Sequence, residues 1–372
     1  MKLKEICEYI SDRVAASAVS EESYISTENM AQNKGGVTKA SSVPSSGAVI
    51  RYRNNDILIS NIRPYFKKIW QADKAGGCSA DVLCIRAKDH VDSTFLYYLL
   101  SQDTFFEYVM TGAKGCKMPR GDKGHIMDWE IDIPDEKSEQ AAIAQCLKML
   151  DRKIEINKQI NDNLEKELQA IYLEYFDNTS TTNLGDVVKT ASGGTPSRSH
   201  QEYYGGEHKW VKSKELCGSF LINTEETITA TAISKSAAKL LPKRSILIAM
   251  YGATVGEYAI IAEEMTCNQA ICALIPNEDY PYTYLFMVAK NKKEELINSA
   301  IGSAQQNISQ VLIRNIEISN DINKIKEFHQ IAVPYFEIIE KNQKENSNLN
   351  SIRDIVLPKL MSGDLKINEI DC

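Results

Sequence analysis

Residues 245–256 read SILIAMYGATVG, and residues 56–67 read DILISNIRPYFK. Each stretch opens on Ile-Leu-Ile and then stops at small or turn-prone residues. Ile57 and Ile246 stand 189 positions apart, and the same interval returns elsewhere. TFLYYLL at 94–100 faces TYLFMVA at 283–289, and Gly77-Cys78 faces Thr266-Cys267, both at 189. YISTENM at 24–30 faces WVKSKEL at 210–216 at an interval of 186, TGAKG at 111–115 faces IGSAQ at 301–305 at 190, and NKQINDNL at 157–164 faces NQKENSNL at 342–349 at 185. A nearly constant interval along this much chain marks an internal duplication. The drift of a few residues is what loop-length change between copies produces.

Each copy has two parts. The first is mixed: β-branched runs at 56–60, 80–85, 244–250, 257–261 and 269–275 read as strands. Segments 94–110 and 283–300 carry helical apolar spacing. Gly-Gly pairs at 35–36, 76–77, 193–194 and 205–206 read as turns. The second part is a long helix. Ile143, Leu147, Leu150, Ile154, Asn157, Asn161, Leu164, Leu168, Ile171 and Tyr175 alternate by four and three, a heptad stripe with two polar interruptions. Phe328, Ala332, Tyr335, Ile339, Asn342, Asn346 and Leu349 repeat it; Arg353 takes the next position while Ile352, Val356 and Leu360 continue the apolar face. Pro334 should start or kink that helix. Paired antiparallel, the helices would bring Asn157, Asn161, Asn342 and Asn346 together, a buried polar contact that fixes register; the plainer reading puts these amides on a wet edge.

The expected fold class is α+β: two mixed α/β heads separated by two long antiparallel coiled-coil helices, with an internal pseudo-twofold repeat. The boundaries read 1–135, 136–177, 178–320 and 321–372. A helix of roughly 35 residues spans about 50 Å, against about 34 Å for one turn of B-DNA. A duplicated reader with unlike heads would therefore suit two different half-sites at a fixed spacing.

Composition narrows the classes. No apolar run approaches the roughly 20 residues that span a bilayer, and the N-terminus lacks a signal-peptide core, so a cytoplasmic protein with no membrane partner is expected. The nine cysteines include no C-x-x-C pair and the five histidines show no zinc spacing, which points to reduced thiols and no metal. The net charge of −7 argues against a nucleic-acid binder when taken alone. The deficit falls mainly on the helices: net −4 over 135–177 and −2 over 319–372, against 0 over 1–134 and −1 over 178–318.

Several stretches together resemble the specificity (S) subunit of type I restriction–modification enzymes. LGDVVKTASGGTPSRSHQEYYGGEHKWVKSKEL at 184–216 looks like the start of a target recognition domain, and SILIAMYGATVG and NQAI at 268–271 match its strands. SAQQNIS at 303–309 looks like its late loop, EQAAIAQCLKMLDRKIEINKQINDNLE at 139–165 like the central spacer helix, and LPKLMSGDL at 357–365 like the family's ending. The resemblance covers essentially the whole chain. It implies target recognition domain 1 at 1–135, a central spacer at 136–177, target recognition domain 2 at 178–320 and a C-terminal spacer at 321–372. It implies a non-catalytic subunit that reads a bipartite double-stranded DNA target, one half-site per domain. Its expected partners are two modification subunits, which methylate adenine, and restriction subunits. No cofactor is expected on this chain; S-adenosylmethionine, ATP and Mg²⁺ belong to the partners. In keeping with that, no phosphate-loop motif and no Pro-Pro occur.

Four clusters are candidates for DNA. Residues 51–68 offer Arg51, Arg53, Arg63 and Lys67 with interleaved aromatics; a guanidinium suits guanine O6 and N7, which nominates Arg63. The plainer reading is a solvated hairpin edge. TGAKGCKMPRGDKG at 111–124 offers Lys114, Lys117 and Arg120, while the matching second-copy loop is neutral, with Gln305, Gln306 and Asn307 suited to adenine. SGGTPSRSHQEYYGGEHKW at 192–210 offers Thr195, Ser197 and Arg198, with glycines letting the backbone approach a duplex; Lys209, Lys212 and Lys214 follow. Tyr251 and Gln269, within the stretches that resemble the family's strands, complete the set. The alternatives are a metal-dependent nuclease built on Asp135, Asp151 and Lys153, which lacks a strand scaffold, and a coiled-coil scaffold without DNA contact.

Overall fold

The computed structural model describes residues 1–115, 117–177, 179–300 and 307–366 of the 372-residue chain. Two units emerge, one from Met1–Arg152 with Leu349–Cys372 and the other from Lys153–Asn348.

In the first unit the main sheet runs Cys7–Tyr9, Val82–Ala87, Ile57–Ser60, Ile69–Gln71, antiparallel throughout. Ile57 and Ile59 join the core of Phe95, Leu96, Leu99 and Phe105 from the helices Ser93–Leu100 and Asp103–Thr111. Leu58 turns the other way, into a cluster with Ile25, Tyr52 and Cys78. Successive strand residues point to opposite faces. A strand covered on both faces therefore needs an unbroken apolar run, which explains why Ile-Leu-Ile does not alternate with polar residues. A second sheet, Arg13–Ala15, Ala48–Tyr52, Gly76–Cys78, Tyr24–Ile25, lies beyond Leu58.

The second unit repeats the plan. Lys189–Ser192, Ile271–Ile275, Ile246–Ala249 and Tyr258–Ile261 keep the same order and antiparallel sense, with Phe220–Leu221 added in parallel at one edge. Ile246 and Ile248 pack with Leu285, Phe286 and Val288 of the helix Tyr282–Asn298, and Leu247 and Ala249 with Val211 and Leu216. Trp210–Val211 pair in parallel with Thr266–Cys267, as Tyr24–Ile25 do with Gly77–Cys78.

Several expectations change. Gly76–Gly77 and Gly205–Gly206 lie within strands rather than turns. A Cβ on Gly76 would stand 2.2 Å from the Ser23 carbonyl, and one on Gly206 2.5 Å from Thr229 Cα, so close approach and not chain reversal selects Gly76 and Gly206, while Gly205 takes a positive φ of 77°. The helix expected at 94–110 breaks at Ser101–Gln102, where Gln102 is extended; its second-copy equivalent is unbroken.

The long helices are Lys137–Phe176 and Ile322–Ser362. The second starts well before Pro334, which lies inside it. In the second unit Asn342 Nδ2 donates to Asn161 Oδ1 at 2.8 Å, and Asn157 Nδ2 to Asn346 Oδ1 at 2.9 Å and Glu345 Oε2 at 2.8 Å. As one helix is followed forward its partner runs backward, so these segments are antiparallel. Asn157 is 1% exposed, which removes the wet-edge reading for it. Leu168, Tyr172 and Phe176 pack with Phe328 and Tyr284; burial of a side chain like Phe328 contributes ~1.5–3 kcal/mol. In the first unit Ile143, Ala144 and Leu147 share a core with Leu357, Leu360 and Met361. Ile352 is exposed, contrary to expectation. Its neighbour Arg353 turns inward instead and donates to Asp151 Oδ1 at 2.7 Å.

Candidate nucleic-acid interface

In the first unit the structure brings two of the candidate stretches together. After strand Ile57–Ser60 the chain turns sharply, with Arg63 in the left-handed region at φ 50°. Arg63 N–H donates to the Pro119 carbonyl at 2.8 Å, and Ile62 forms a bridge with Arg120. Lys114 and Arg120 close the second loop on itself through a pair of backbone hydrogen bonds of 2.9 Å. Arg63, Lys114 and Arg120 therefore belong to one surface. Nε of Arg63 and Oδ1 of neighbouring Asn61 are buried with no hydrogen-bond partner among the described residues. Lys67, also left-handed at φ 51°, pairs with Asp103 at 2.9 Å, and Lys34 joins the same carboxylate at 3.1 Å. Burial of Asp103 opposes its charge, but the two lysines outweigh this and pull its carboxyl below the usual range. Lys114 pairs with Asp122 at 2.7 Å and Arg120 with Asp81 at 2.7 Å. Lys114, then the His125 N–H, draws the Asp122 carboxyl down to about 2. Arg51 and Arg53 are not brought to this surface, because they precede the strand that Arg63 follows. Both are exposed, as is Lys117, and none makes an ion pair among the described residues.

The second unit has an equivalent corner. Tyr251, equivalent to Ile62, bridges to Asn307, and Ile308 N–H donates to the Met250 carbonyl at 2.9 Å. Gly252 occupies the place of Arg63, again left-handed at φ 73°. Tyr251 is 40% exposed. Gln305 and Gln306 lie outside the described residues.

A second surface in this unit gathers the 192–214 candidates. The Thr195 hydroxyl donates to Gln269, uniting the first loop with the NQAI stretch. Gly193 and Gly194 do not present backbone outward as expected: a Cβ on Gly193 would lie 2.2 Å from the Cys267 carbonyl and one on Gly194 2.3 Å from Ala237. They serve internal packing, sealed by Trp210 Nε1–H donating to the Gly194 carbonyl at 3.1 Å. Ser197 shares a hydrogen bond with Ser199. The Arg198 guanidinium lies 4.2 Å from the Tyr204 ring centre and 5.4 Å from that of Trp210, within cation–π range. It pairs with Glu226 at 2.7 Å. Lys212 joins Glu226 and Glu225, Lys214 pairs with Glu225 at 2.6 Å, and Lys209 with Glu263. Arg198, then Lys212, draws the Glu226 carboxyl down to about 2.

The nuclease reading has no support. Both carboxylate oxygens of Asp151 are engaged, by the Tyr98 hydroxyl at 2.7 Å and by Arg353, and Lys153 pairs with Glu345 at 3.2 Å. Sequence reasoning missed the carboxylates Asp81, Asp103, Glu225, Glu226 and Glu263, and the aromatic seat of Arg198. The seat had a signal, since Tyr204 and Trp210 flank the basic stretch. The carboxylates had none, because their pairing is tertiary.

No described helix is long and apolar enough to cross a membrane. The family model for the type I restriction modification DNA specificity domain matches twice, over residues 1–166 and 177–350. The MjaIX specificity subunit of Methanocaldococcus jannaschii, a type I restriction enzyme subunit, is 26% identical over 319 residues, spanning 76% of this chain and 71% of that one. The HindI specificity subunit of Haemophilus influenzae is 22% identical over 359 residues, spanning 73% and 77%. The crystal structure of a type I restriction–modification S subunit from M. genitalium has the same fold, with a TM-score of 0.59 at 18% identity, covering 97% of this chain and 95% of that one. Two copies of one DNA specificity domain, each built on the same sheet and carrying differently charged loops, make this chain a member of the type I restriction–modification specificity subunits, the non-catalytic DNA-recognition partners of modification and restriction subunits.

Proposed function

We propose that each unit reads one half of a bipartite DNA target, and that the long helices set the accepted spacer and carry two modification subunits. The observation that supports this most is the equivalent corner. Arg63 with Lys114 and Arg120 occupies it in one unit, and Tyr251, Gly252 and Asn307 in the other. One scaffold with a cationic corner in one copy and an amide and aromatic corner in the other is what two readers of unlike half-sites require. Base contacts fall to Arg63, Gln305, Gln306, Asn307 and Gln269. Phosphate contacts fall to Lys67, Lys114, Lys117, Arg120, Thr195, Ser197, Arg198, Lys209, Lys212 and Lys214, while Arg51 and Arg53, away from the Arg63 corner, would reach only phosphates flanking the half-site.

The helices offer the docking surface. Ile156 and Ile160 on the first helix, and Ile331 and Ile338 on the second, are large apolar side chains left exposed, at heptad-related intervals that line one helix face. S-adenosylmethionine, ATP and Mg²⁺ act on the partner subunits. The test uses Arg63→Gly, a change the left-handed backbone accepts, in duplexes with each half-site scrambled separately. The variant should lose discrimination of on the order of tenfold or more at one half-site, matching the worth of a bidentate arginine, and keep it at the other. Equal loss at both half-sites overturns the assignment.

A further inference from the structure

Glu225 and Glu226 stand at the centre of three cations assigned above to DNA. Arg198 donates to Glu226, Lys212 to both glutamates, and Lys214 to Glu225. The five residues come from three separate segments: the loop before Gln201–Tyr203, the turn Ser213–Glu215 with its leading residue, and the first residue of strand Glu226–Ile228 with the one before it. The arrangement is therefore held by the fold and is not a chance of helical spacing. Arg198 is fixed independently by Tyr204 and Trp210, and Glu225 N–H is anchored on Glu215 Oε1 at 2.7 Å. Cations and carboxylates are thus both held in place.

We propose that Glu225 and Glu226 are specificity-determining residues. They hold Arg198, Lys212 and Lys214 against internal carboxylates and so suppress sequence-independent attraction to DNA. The inference rests on this unit being a DNA reader. Sequence-independent binding is driven by counterions released when cations neutralise phosphates. A cation already neutralised gains little by exchanging a carboxylate for a phosphate, and the displaced carboxylate takes a counterion back. Base contacts at a correct half-site supply what the backbone term then lacks, so the arrangement weakens sequestration on the large excess of wrong sites.

The test is fluorescence anisotropy of the full chain on a mixed-sequence duplex across a salt series. The Glu225→Gln/Glu226→Gln double variant should bind about tenfold tighter at low salt, with a log–log salt slope steeper by up to about 2, at about 0.9 per phosphate neutralised. Glutamine still accepts hydrogen bonds, and a native circular dichroism spectrum with a single cooperative melting transition verifies the fold. Adding Arg198→Gln removes one of the three released cations and should cancel about one unit of the added slope. Glu278→Gln, an exposed carboxylate outside the cluster, makes a single charge change elsewhere and should leave binding unchanged. Wild-type slope and affinity in the double variant, or a gain from Glu278→Gln of half the double variant's or more, overturns the proposal while leaving the DNA reading intact. Absence of any salt-dependent binding by the wild-type chain removes both.

Discussion

Arg63 carries two costs at one position. A left-handed backbone costs an L-residue other than glycine about 1–2 kcal/mol, and its Nε is buried without a partner among the described residues. The second unit avoids both with Gly252. Strain at a position where the duplicate has none is an observation that motivates the binding role proposed for Arg63. Glu226 sets a different expectation. Its carboxyl is depressed to about 2 by Arg198 and Lys212, against about 4.3 unfolded. Its stabilisation is therefore fully present above the unfolded value and is lost as pH falls from there through about 2. The melting-temperature gap between wild type and Glu226→Gln should shrink on going from ~pH 6 to ~pH 3; a gap that is constant or widens contradicts this. The cations were legible because clustered charge is written locally. Their counter-charges were not, since Asp103 is 36 residues from Lys67 and Glu263 is 54 from Lys209.

Secondary elements were legible where one period dominated. The Ile-Leu-Ile strands and the heptads from Ile143 to Tyr175 each follow a single rule, and burial along the helix follows the stripe. The reading failed where two rules gave the same letters. Gly-Gly signals a turn and also a strand under a close neighbour, and only the packing against Ser23 or Thr229 separates them. At 352–353 the apolar rule nominated isoleucine, but Asp151 on the facing helix favours an arginine turned inward onto its carboxylate. The asparagine contacts make a specific claim. Asn342→Ala leaves Asn161 Oδ1 buried without its donor, so urea unfolding should show a loss of about 1–3 kcal/mol. Replacing both Asn161 and Asn342 by leucine should recover that loss in stability while loosening the helical register. A double leucine variant less stable than Asn342→Ala contradicts the account.

At the scale of the molecule, the duplication was written in the sequence because equivalent positions kept equivalent burial. The two units were not, because a unit is defined by which residues meet. One of them, Lys153–Asn348, is a single continuous stretch, whereas the other joins Met1–Arg152 to Leu349–Cys372. Leu357, Leu360 and Met361 complete a core that includes Phe95 and Leu147, residues synthesised more than 200 positions earlier. Protein synthesis proceeds at about 5–20 residues per second, and domains ordinarily close in the order they emerge. Here that order is expected to invert, since residues 1–152 gain their full core only once Leu357, Leu360 and Met361 have emerged. A chain stopped after Asn348 should be cleaved by protease within 1–152 well before 153–348, and equal resistance of both would contradict this birth order. Premature termination of this gene is therefore expected to yield an aggregation-prone chain rather than a half-functional one.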